Sequence, residues 1–585
     1  MDRLLSSLAL CLIFTALGPA DGSPIVGRKV DDFTLRDFRG KEHTLSDYAG
    51  RPVAVVFVGS ECPLATLYAP RLEEIQQQFK GQGVQILAVN SNRQDSITKV
   101  GAYAARHGVT YPVLKDPDHK VADLFQATRT PHAFLVDGKG VIRYAGRIDD
   151  QYGLGATSGY AKPKLEASYL VTAITEVLAG KEVSTSTTEP TGCIIGRAPK
   201  VKPHGDITYT KHVSRILNQR CVSCHRDGQI APFPLTSYEE ASGWGEMILE
   251  VMDKGQMPPW FANPAHGKFK NDARLSEAEK KTIREWVRNG CLKGNSSDLP
   301  EPPTFVEGWQ IEEPDEVIYI TDDESKRINV KAEGTVAYKY FEVDPKWTED
   351  KFIKASEARP DNRRVVHHII VYVIPPGSDR RTAFRSSIGG FAPGSPPRTY
   401  MQGVAMHVKA GSKLLFEMHY TPNGSAQTDR SSVGIVFADS KDVRRVVKGG
   451  AVGVSGKRLR IPAHAANHEV KAYYRFREDA VLTSMLPHMH LRGKSYRYIA
   501  HFPDGNKETL LDVPNYDFNW QLRYDLEQPR LMPRGTVIEG IAVYDNSEAN
   551  ISNPAPEKDV YYGEQTWEEM MFGFFDVIPV RDRKQ

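Results

Sequence analysis

The hydrophobic pattern of this sequence changes twice along its 585 residues, and each change falls at a polar segment rich in proline, glycine or serine. The first segment is residues 181–203 and the second is residues 295–306. Segments of this composition are typical of linkers between separately folded units. A chain of this length is also expected to form about four domains. The sequence therefore predicts a multidomain protein whose domains differ in fold class.

The first predicted domain, residues 24–180, alternates between strand-like and helix-like runs. Strands are predicted at residues 52–59 and 84–90, with a helix from about residue 68 to residue 79 between them. Residues 133–146 are predicted to form a β-hairpin, because Asp137 and Gly138 supply a tight turn between two β-rich runs. This alternation predicts an α/β domain.

The second predicted domain, residues 204–294, has a helical pattern. Its clearest helix is the last one, where Ser276 and Glu279 form a capping-box pattern and Gly290 suits the C-terminal cap. The apolar residues on one face of this helix are Ile283, Trp286 and Val287. An all-α domain is therefore predicted.

The rest of the chain consists of many short β-rich runs separated by Pro, Gly, Asn and Asp. This pattern predicts antiparallel sheets instead of βαβ units. From the length, two consecutive β-sandwich domains are expected, at residues 307–440 and 441–585.

The chain begins with a short apolar run, from residue 4 to about residue 17, that follows Arg3. Small and turn-forming residues come next, which is typical of a signal peptide at residues 1–22 and predicts export to the periplasm of a bacterium. A lipoprotein anchor at Cys11 is disfavoured, because bulky Leu10 stands where a small residue is expected.

The charge balance and the hydropathy pattern argue against a nucleic-acid partner and against a membrane-spanning helix. The 75 basic and 73 acidic side chains leave a net charge of +2, and no basic stripe or recognition motif is present, so no nucleic-acid partner is predicted. A membrane-spanning helix needs about 20 apolar residues. The sequence contains no such segment, so no membrane span is predicted.

The motif Cys221-Val222-Ser223-Cys224-His225 stands within the helical domain. This C-x-x-C-H spacing predicts covalent attachment of haem c, with the two thiols adding to the haem vinyl groups and His225 ligating the iron. A zinc knuckle or a dithiol redox pair would use the same cysteines, but zinc would require further Cys or His ligands nearby. Residues 204–294 resemble a small cytochrome c domain.

The second axial ligand of such a haem is usually a methionine. Met257 is the preferred candidate, because the prolines that follow it can hold an extended loop against the iron. Met252 lies in a helix-like run, where packing is the favoured interpretation.

Three local groups of histidines occur in the β-rich half, and each lies on or beside a strand-like run. In a strand, His488 and His490 point the same way and can reach one metal. The adjacent His367 and His368 would point to opposite faces, so their joint use requires a bulge or a strand end. His419 is the third group. Imidazole suits copper and zinc, and a thioether such as Met570 would favour copper.

The order of these residues resembles dopamine beta-monooxygenase and peptidylglycine alpha-hydroxylating monooxygenase, which are ascorbate-dependent copper monooxygenases. The resemblance extends from about residue 315 to residue 578 and includes ARPDNRRVVHHIIVYV, HLRGKSYRY and YGEQTWEEM. It implies two copper ions, each held by one β-sandwich of jelly-roll type. The implied ligands are His367, His368 and His419 for the electron-supplying copper, and His488, His490 and Met570 for the copper where O2 reacts.

The sequence also departs from this family. No substrate-recognition element is matched, so the substrate, a small molecule or a peptide, is not identified. His407, His464 and His468 have no counterpart in the family, and a surface or structural role is favoured for each of them.

The segments VAVVFVGSECPLATLYAPRLEEIQQQF and RTPHAFLVDGKG resemble a thioredoxin-like redoxin domain. The resemblance implies that Cys62 lies at a helix N-terminus, which lowers a thiol pKa, and that Pro131 is a cis proline facing it. Ala65 stands where a C-x-x-C oxidoreductase has its resolving cysteine. Cys62 is therefore a candidate catalytic thiol, with a structural or docking role as the alternative.

Five cysteines remain after signal-peptide cleavage, and three of them lie outside the haem motif. Cys62 could pair with Cys193 or act as a lone thiol. A disulfide between Cys193 and Cys291, which flank the haem motif, is another interpretation.

These features predict a monooxygenase that uses O2 and an electron donor, either ascorbate-like or a redox protein. We hypothesise that the haem relays electrons to the first copper, because a linker of about a dozen residues reaches at most ~40 Å and gives an effective concentration of order mM. The competing hypotheses are a periplasmic electron-transfer or copper-binding protein without oxygenase activity, and a thiol peroxidase acting through Cys62.

Overall fold

The computed structural model describes residues 24–154, 159–162, 165–199, 201–332, 334, 336–380, 386–392 and 395–581. The signal peptide predicted at residues 1–22 lies outside these residues. Within them, no helix combines the length and the apolar character needed to cross a membrane.

The N-terminal domain is built on a seven-stranded sheet with the strand order β2-β1-β5-β4-β3-β7-β8. Its central strands β3 and β4 run parallel and are almost fully buried. The strands are β1 (Thr34–Asp37), β2 (Glu42–Thr44), β3 (Val53–Phe57), β4 (Gln85–Asn90), β5 (Val113–Lys115), β6 (Arg129–Thr130), β7 (His132–Val136), β8 (Ile142–Gly146), β9 (Tyr152–Leu154) and β10 (Gly159–Ala161). The helices are α1 (Pro63–Lys80), α2 (Ile97–His107), α3 (Lys120–Leu124) and α4 (Tyr169–Leu178). The predicted α/β domain is confirmed.

Two local details of this domain differ from the sequence prediction. Helix α1 begins at Pro63, five residues earlier than predicted, because proline suits the first position of a helix. The hairpin of β7 and β8 is present, but its turn is longer than two residues. The Asp137 carboxylate accepts hydrogen bonds from the backbone N–H groups of Lys139 and Val141, and Gly140 takes the positive φ of +80°.

The segment predicted as the first linker carries a short strand, β11 (Cys193–Ile194). This strand pairs antiparallel with β6, and Cys193 and Ile195 are buried. Apolar side chains within an otherwise polar segment explain why it packs against the N-terminal domain.

The helices of the middle region are α5 (Ser214–Arg220), α6 (Tyr238–Gly243), α7 (Gly245–Asp253) and α8 (Glu277–Arg288). Helix α8 has the capping box between Ser276 and Glu279, and Gly290 follows it with a φ of +87°. Trp286 is fully buried in the core of this region. The residues between α7 and α8 leave this core, and Trp260 and Phe269 pack into the core of the last domain.

Two β-sandwiches form the second half of the chain. In the first, the sheet β12-β22-β15-β19-β23, with β18 beside β15, faces the sheet β14-β20-β16-β17. In the second, β24-β33-β27-β30 faces β26-β31-β28-β29. All strand pairs within the two sandwiches are antiparallel except β19 with β23, among the described residues. The β-rich fold predicted for this half is present.

The strands of the first sandwich are β12 (Glu316–Tyr319), β13 (Ile328–Val330), β14 (Lys339–Val343), β15 (Lys351–Arg359), β16 (Val366–Ile374), β17 (Ser387–Phe391), β18 (Arg398–Thr399), β19 (Val404–Val408), β20 (Lys413–Tyr420), β21 (Gln427–Asp429), β22 (Ser432–Phe437) and β23 (Arg445–Val446). Those of the second are β24 (Lys448–Val454), β25 (Arg460–Ile461), β26 (His468–Arg475), β27 (Ala480–His488), β28 (Gly493–His501), β29 (Lys507–Val513), β30 (Tyr524–Met532), β31 (Val537–Tyr544), β32 (Val560–Tyr561) and β33 (Met571–Pro579).

Candidate metal and haem sites

Three histidines of the first sandwich converge at one place. His367 and His368 begin strand β16, and His419 lies opposite His368 on strand β20. One potential ligand atom from each of the three lies within 4.8 Å of the others. The Nδ1 atoms of His367 and His368 are 3.3 Å apart. This is about the separation of two nitrogens that bind the same tetrahedral metal through bonds of about 2.0 Å.

The adjacent histidines reach the same point because the strand is irregular there. The register of β16 against β20 shifts between Val366 and His368, so His367 is an extra residue with no partner across the ladder. Such a bulge turns a side chain that would otherwise point to the opposite face. The bulge required by the adjacent pair is therefore present.

The second group lies in the second sandwich. His488 ends strand β27 and His490 follows it, and their ring centroids are 5.3 Å apart. Met570 immediately precedes β33, which pairs with β27. His488, His490 and Met570 are all buried and line the same small cavity. The structure thus brings together the three residues that the sequence placed far apart.

Two aromatic rings lie beside histidines of both groups. The Tyr338 ring centroid is 4.9 Å from that of His419 and 6.2 Å from that of His490. Phe518 lies 5.6 Å from His419 and 6.0 Å from His490 by the same measure. The two sandwiches therefore hold their histidines in contact with the same pair of rings.

The electrostatic environment favours neutral imidazoles. Burial lowers the pKa of His367 and of His488 to about 4, and burial and the neighbouring His488 lower the pKa of His490 to about 3. Burial and nearby histidines also hold the pKa of His368 and of His419 well below the usual value. A neutral imidazole is the form that binds a metal.

Several imidazole nitrogens are buried with no hydrogen-bond partner among the described residues. They are His368 Nε2, His419 Nδ1 and His490 Nε2. Buried polar atoms without partners are rare in native proteins and require an explanation. A bound cation in each group would satisfy His419 Nδ1 and His490 Nε2, so the residues present fit two metal ions. His368 turns its Nδ1 toward His367, and its Nε2 lies 4.0 Å from Glu417 Oε1. Imidazole suits both copper and zinc, and the thioether of Met570 in the second group favours copper.

The second group has supporting contacts that fix its ring orientations. His488 Nδ1 is 2.9 Å from Gln521 Oε1, which accepts its proton when His488 is the Nδ1–H tautomer. His490 Nδ1 is 3.2 Å from the carbonyl of Glu568. Both contacts direct Nε2 toward the cavity, as is usual for metal-binding histidines. Sequence reasoning missed Gln521, because no motif marks it.

The cavity beside the second group lies between the two sandwiches. Besides the ligand candidates, its walls carry Tyr372 and Glu417 from the first sandwich and Glu564 from the second. Arg380 of the first sandwich forms an ion pair with Glu564 at 2.8 Å. The cavity is thus a junction of both domains with mixed aromatic and acidic walls.

The haem motif follows helix α5. His225 Nδ1 is 3.1 Å from the carbonyl of Phe233, which leaves Nε2 available, and burial lowers the pKa of His225. The Phe233 ring stacks on Trp244 at 4.0 Å. Cys221 and Cys224 are half-buried at the turn before His225. A neutral imidazole oriented through Nδ1, with two adjacent thiols, fits haem c.

The two candidate axial methionines lie in different environments. Met252 is buried in the core of the helical region, in agreement with a packing role. Met257 is half-buried, and its backbone N–H donates to the carbonyl of Val251. Its role as an iron ligand stays a prediction.

The helical region that carries the haem motif lies close to both sandwiches. Burial raises the pKa of Cys224, while the Ser223 hydroxyl and the nearby charges of Arg226 and Arg363 lower it. Arg363 belongs to the first sandwich and precedes His367 by four residues. Trp260, which follows helix α7, packs against Tyr524 of the second sandwich with ring centroids 4.9 Å apart.

Cys62 lies at the start of helix α1, at the position that the sequence predicted. The peptide bond before Pro131 is cis, also as expected. The Cys62 thiol donates to the carbonyl of Thr130 at 3.0 Å. Cys193 lies beside it, whereas Cys291 lies against Gly245 and Val287 in the helical region. The structure thus favours Cys62 and not Cys291 as the neighbour of Cys193.

The four remaining histidines of the β-rich half have ordinary environments, and one of them, His501, lies 2.9 Å from Glu539. His407 forms an ion pair with Asp350 at 2.6 Å, and His464 contacts Glu548. His468 lies on strand β26. Surface or structural roles account for them.

The N-terminal domain has known relatives. A family model described as the AhpC/TSA family matches residues 26–145. The thiol-disulfide oxidoreductase ResA of Geobacillus kaustophilus is 36% identical over 118 residues, which are 20% of this chain and 67% of that protein. Through its N-terminal domain, this chain belongs to the ResA family. The ResA of Bacillus subtilis is 32% identical over 130 residues, covering 22% of this chain and 72% of its own length.

Among solved structures, a hypothetical protein from Sinorhizobium meliloti 1021 is 30% identical, with a TM-score of 0.27 and coverage of 30% of this chain and 95% of that one. The ResA relationship confirms the predicted thioredoxin-like redoxin domain and supports oxidoreductase activity in general. In the ResA-like domain of this chain, Cys62 is followed by Ala65 where a C-x-x-C motif would have its second cysteine.

Proposed function

We propose that this chain is an exported copper-dependent monooxygenase whose c-type haem supplies electrons to a two-copper centre. The observation that carries the proposal is the convergence of two groups of metal-binding side chains, one in each sandwich, on the same aromatic ring of Tyr338. Copper, when bound there, would supply one-electron chemistry and react with O2.

The chain's own residues divide the work between the two groups. His367, His368 and His419 would hold the electron-supplying ion, and they do not line the cavity. His488, His490 and Met570 would hold the ion that meets O2 and substrate, because these three line the cavity. Tyr338 and Phe518 each lie beside a histidine of both groups.

The haem is proposed to feed the first group. Its attachment cysteine Cys224 lies near Arg363, and the segment from Arg363 leads directly into His367. The partners proposed for the chain are O2, an organic substrate and an external donor that reduces the haem, either ascorbate-like or a redox protein. Export to the periplasm follows from the signal-peptide pattern of residues 1–22.

Anaerobic stopped-flow spectroscopy tests the relay. The haem is reduced stoichiometrically in copper-free protein, which is then mixed with Cu(II). We expect the haem to return to its oxidised spectrum while the Cu(II) EPR signal decays, and we expect His368→Ala to slow this reaction strongly. A haem that stays reduced in the copper-loaded wild type would refute the relay.

Oxygenase activity is tested separately from electron transfer. Copper-loaded protein supplied with ascorbate is expected to consume O2, and Met570→Ile is expected to abolish this consumption while the haem still accepts electrons. If the wild type consumes no O2 with any C–H substrate tested, the electron-transfer or copper-binding alternative replaces the monooxygenase.

Gln521 provides a prediction about copper affinity. Gln521→Leu removes the hydrogen-bond acceptor for His488 Nδ1, so the orientation of the His488 ring is no longer fixed. Loss of such a supporting contact is expected to weaken copper binding at the second group by ~10- to 100-fold and to leave the first group unchanged. Competitive titration with a Cu(I) chelator measures both affinities. Equal loss at both groups would contradict the role given to Gln521.

A further inference from the structure

The redoxin domain has a second cysteine that its local motif lacks. Strand β11 pairs with β6 so that Cys193 lies directly opposite Thr130. The Cys62 thiol contacts the same residue, donating to the Thr130 carbonyl at 3.0 Å. The two cysteines, 131 positions apart in sequence, therefore share one neighbour and belong to the same buried cluster.

We propose that Cys62 and Cys193 form a reversible disulfide, a redox-active pair whose resolving cysteine is supplied by the segment leading to the haem motif. The proposal concerns the N-terminal domain and does not depend on copper. Cys193 would act as the resolving cysteine, a role that Ala65 cannot fill because it has no thiol.

The environments of the two thiols suit a nucleophilic cysteine and a resolving cysteine. Burial would raise the pKa of Cys62, but hydrogen bonds from the Cys193 thiol and from the backbone N–H groups of Ala65 and Cys193 outweigh it and lower the pKa to about 7. The same hydrogen bond, together with burial, raises the pKa of Cys193 well above the usual value. Cys62 is therefore the thiolate nucleophile, and Cys193 is the protonated partner that stabilises it.

The oxidant is a compound of the disulfide class. The Cys62 thiolate attacks one sulfur of the compound, its S–S bond breaks, and the released thiolate takes a proton. Cys62 is then neutral, so its effect on the Cys193 pKa disappears. Cys193 loses its proton and attacks the Cys62 sulfur, which releases a second thiol. One disulfide is reduced to two thiols and the protein pair is oxidised.

Burial limits the size of that compound. Cys62 is 0% exposed and Cys193 is 5% exposed, so strand β11 must open locally before a disulfide can enter. The backbone at Gly192 leaves no room above the Thr130 carbonyl, where even a Cβ would come within 2.1 Å. A small disulfide such as oxidised glutathione is therefore a suitable probe.

The cysteine pair also lies at the junction between the redoxin domain and the helical region, so its oxidation would stabilise this junction. Arg129 donates to the Gly192 carbonyl at 2.7 Å and pairs with Glu250 of helix α7 at 2.9 Å. A disulfide at Cys193 would fix the strand that Arg129 already ties to the haem-bearing region. Oxidation thus joins the redoxin domain covalently to the segment entering that region.

Redox titration of the full holoprotein tests the proposal. The chain is equilibrated in mixtures of reduced and oxidised glutathione, quenched with acid, denatured, alkylated and mapped by mass spectrometry. We expect a peptide pair joined through Cys62 and Cys193 that forms and disappears reversibly, while Cys291 stays alkylated throughout. A mixed disulfide of Cys62 with glutathione as the end product, a bond to Cys291, or two free thiols over the whole range would each overturn it.

The pH dependence gives a second readout that does not rely on a stable disulfide. Because the Cys62 pKa is lowered, its reaction rate with a small disulfide should rise with pH and level off above about 7. Cys193→Ala removes the stabilising hydrogen bond, so the rise should move to higher pH and the rate at pH 7 should fall by ~10-fold. Cys291→Ala is the matched control and should leave the profile unchanged. An identical profile in Cys193→Ala would show that the two thiols do not interact.

Discussion

We expect the wild type to bind two copper ions per chain and the variant His490→Ala to bind one. His490 is fully buried, and its Nε2 has no hydrogen-bond partner among the described residues. Removing a direct ligand should weaken binding by more than the ~10- to 100-fold that accompanies loss of a supporting contact. Metal analysis and EPR of the purified holoprotein measure the change, and the haem spectrum should stay the same.

Two variants accompany this experiment. His419→Ala should remove the other ion, so the two variants should lack different EPR signals. His407→Ala is the matched control, because His407 is a histidine of the same half whose ring is already paired with Asp350. Two copper ions retained in His490→Ala, or an equal loss in the His407 control, would refute the assignment of the second group.

The histidine groups were predictable because their residues are marked by order and local spacing. The H-x-H pair needs only the strand period to act together. The adjacent pair required a bulge, and the shifted register at His367 provides it. The fold of the β-rich half could be expected from its short β-rich runs, since short strands separated by turn residues form few folds other than antiparallel sandwiches or barrels.

Other parts of the site could not be predicted from the sequence. Tyr338 reaches His490, and Phe518 reaches His419, only when the two sandwiches meet. No local pattern distinguishes these two rings from core aromatics. Gln521 lies on a loop, and its role depends on the ring it contacts. The same limit applies to Cys193, whose segment is polar and rich in turn residues, so the pairing of β11 with β6 was not predicted.

The modules lie closer together than their linkers require. Linker lengths set only an upper limit on the separation of tethered domains. In this protein, packing makes the separation much smaller, because Trp260 enters the core of the second sandwich and Arg363 of the first sandwich lies near Cys224. A fixed haem position relative to both histidine groups would serve electron transfer better than a flexible tether.

Loss of covalent haem is the expected result of the double variant Cys221→Ser/Cys224→Ser. Serine preserves the size of each side chain but cannot form a thioether, so only the His225 ligand would remain. The protein is produced in a host that attaches haem c, denatured and extracted with acidic solvent. Wild-type chain should retain its haem, and the variant should release all of it.

The matched control for the haem experiment is Cys291→Ser, which alters a buried cysteine in the core of the same region. This variant should retain haem, and both serine variants should still bind copper at the two histidine groups. Zinc in place of haem in the wild-type chain would support a zinc knuckle instead, because the same two cysteines would then act as metal ligands. The haem prediction and the copper prediction can therefore be refuted independently of each other. A chain without haem but with two copper ions would keep the oxygenase proposal and remove its internal electron source, leaving reduction to an external donor.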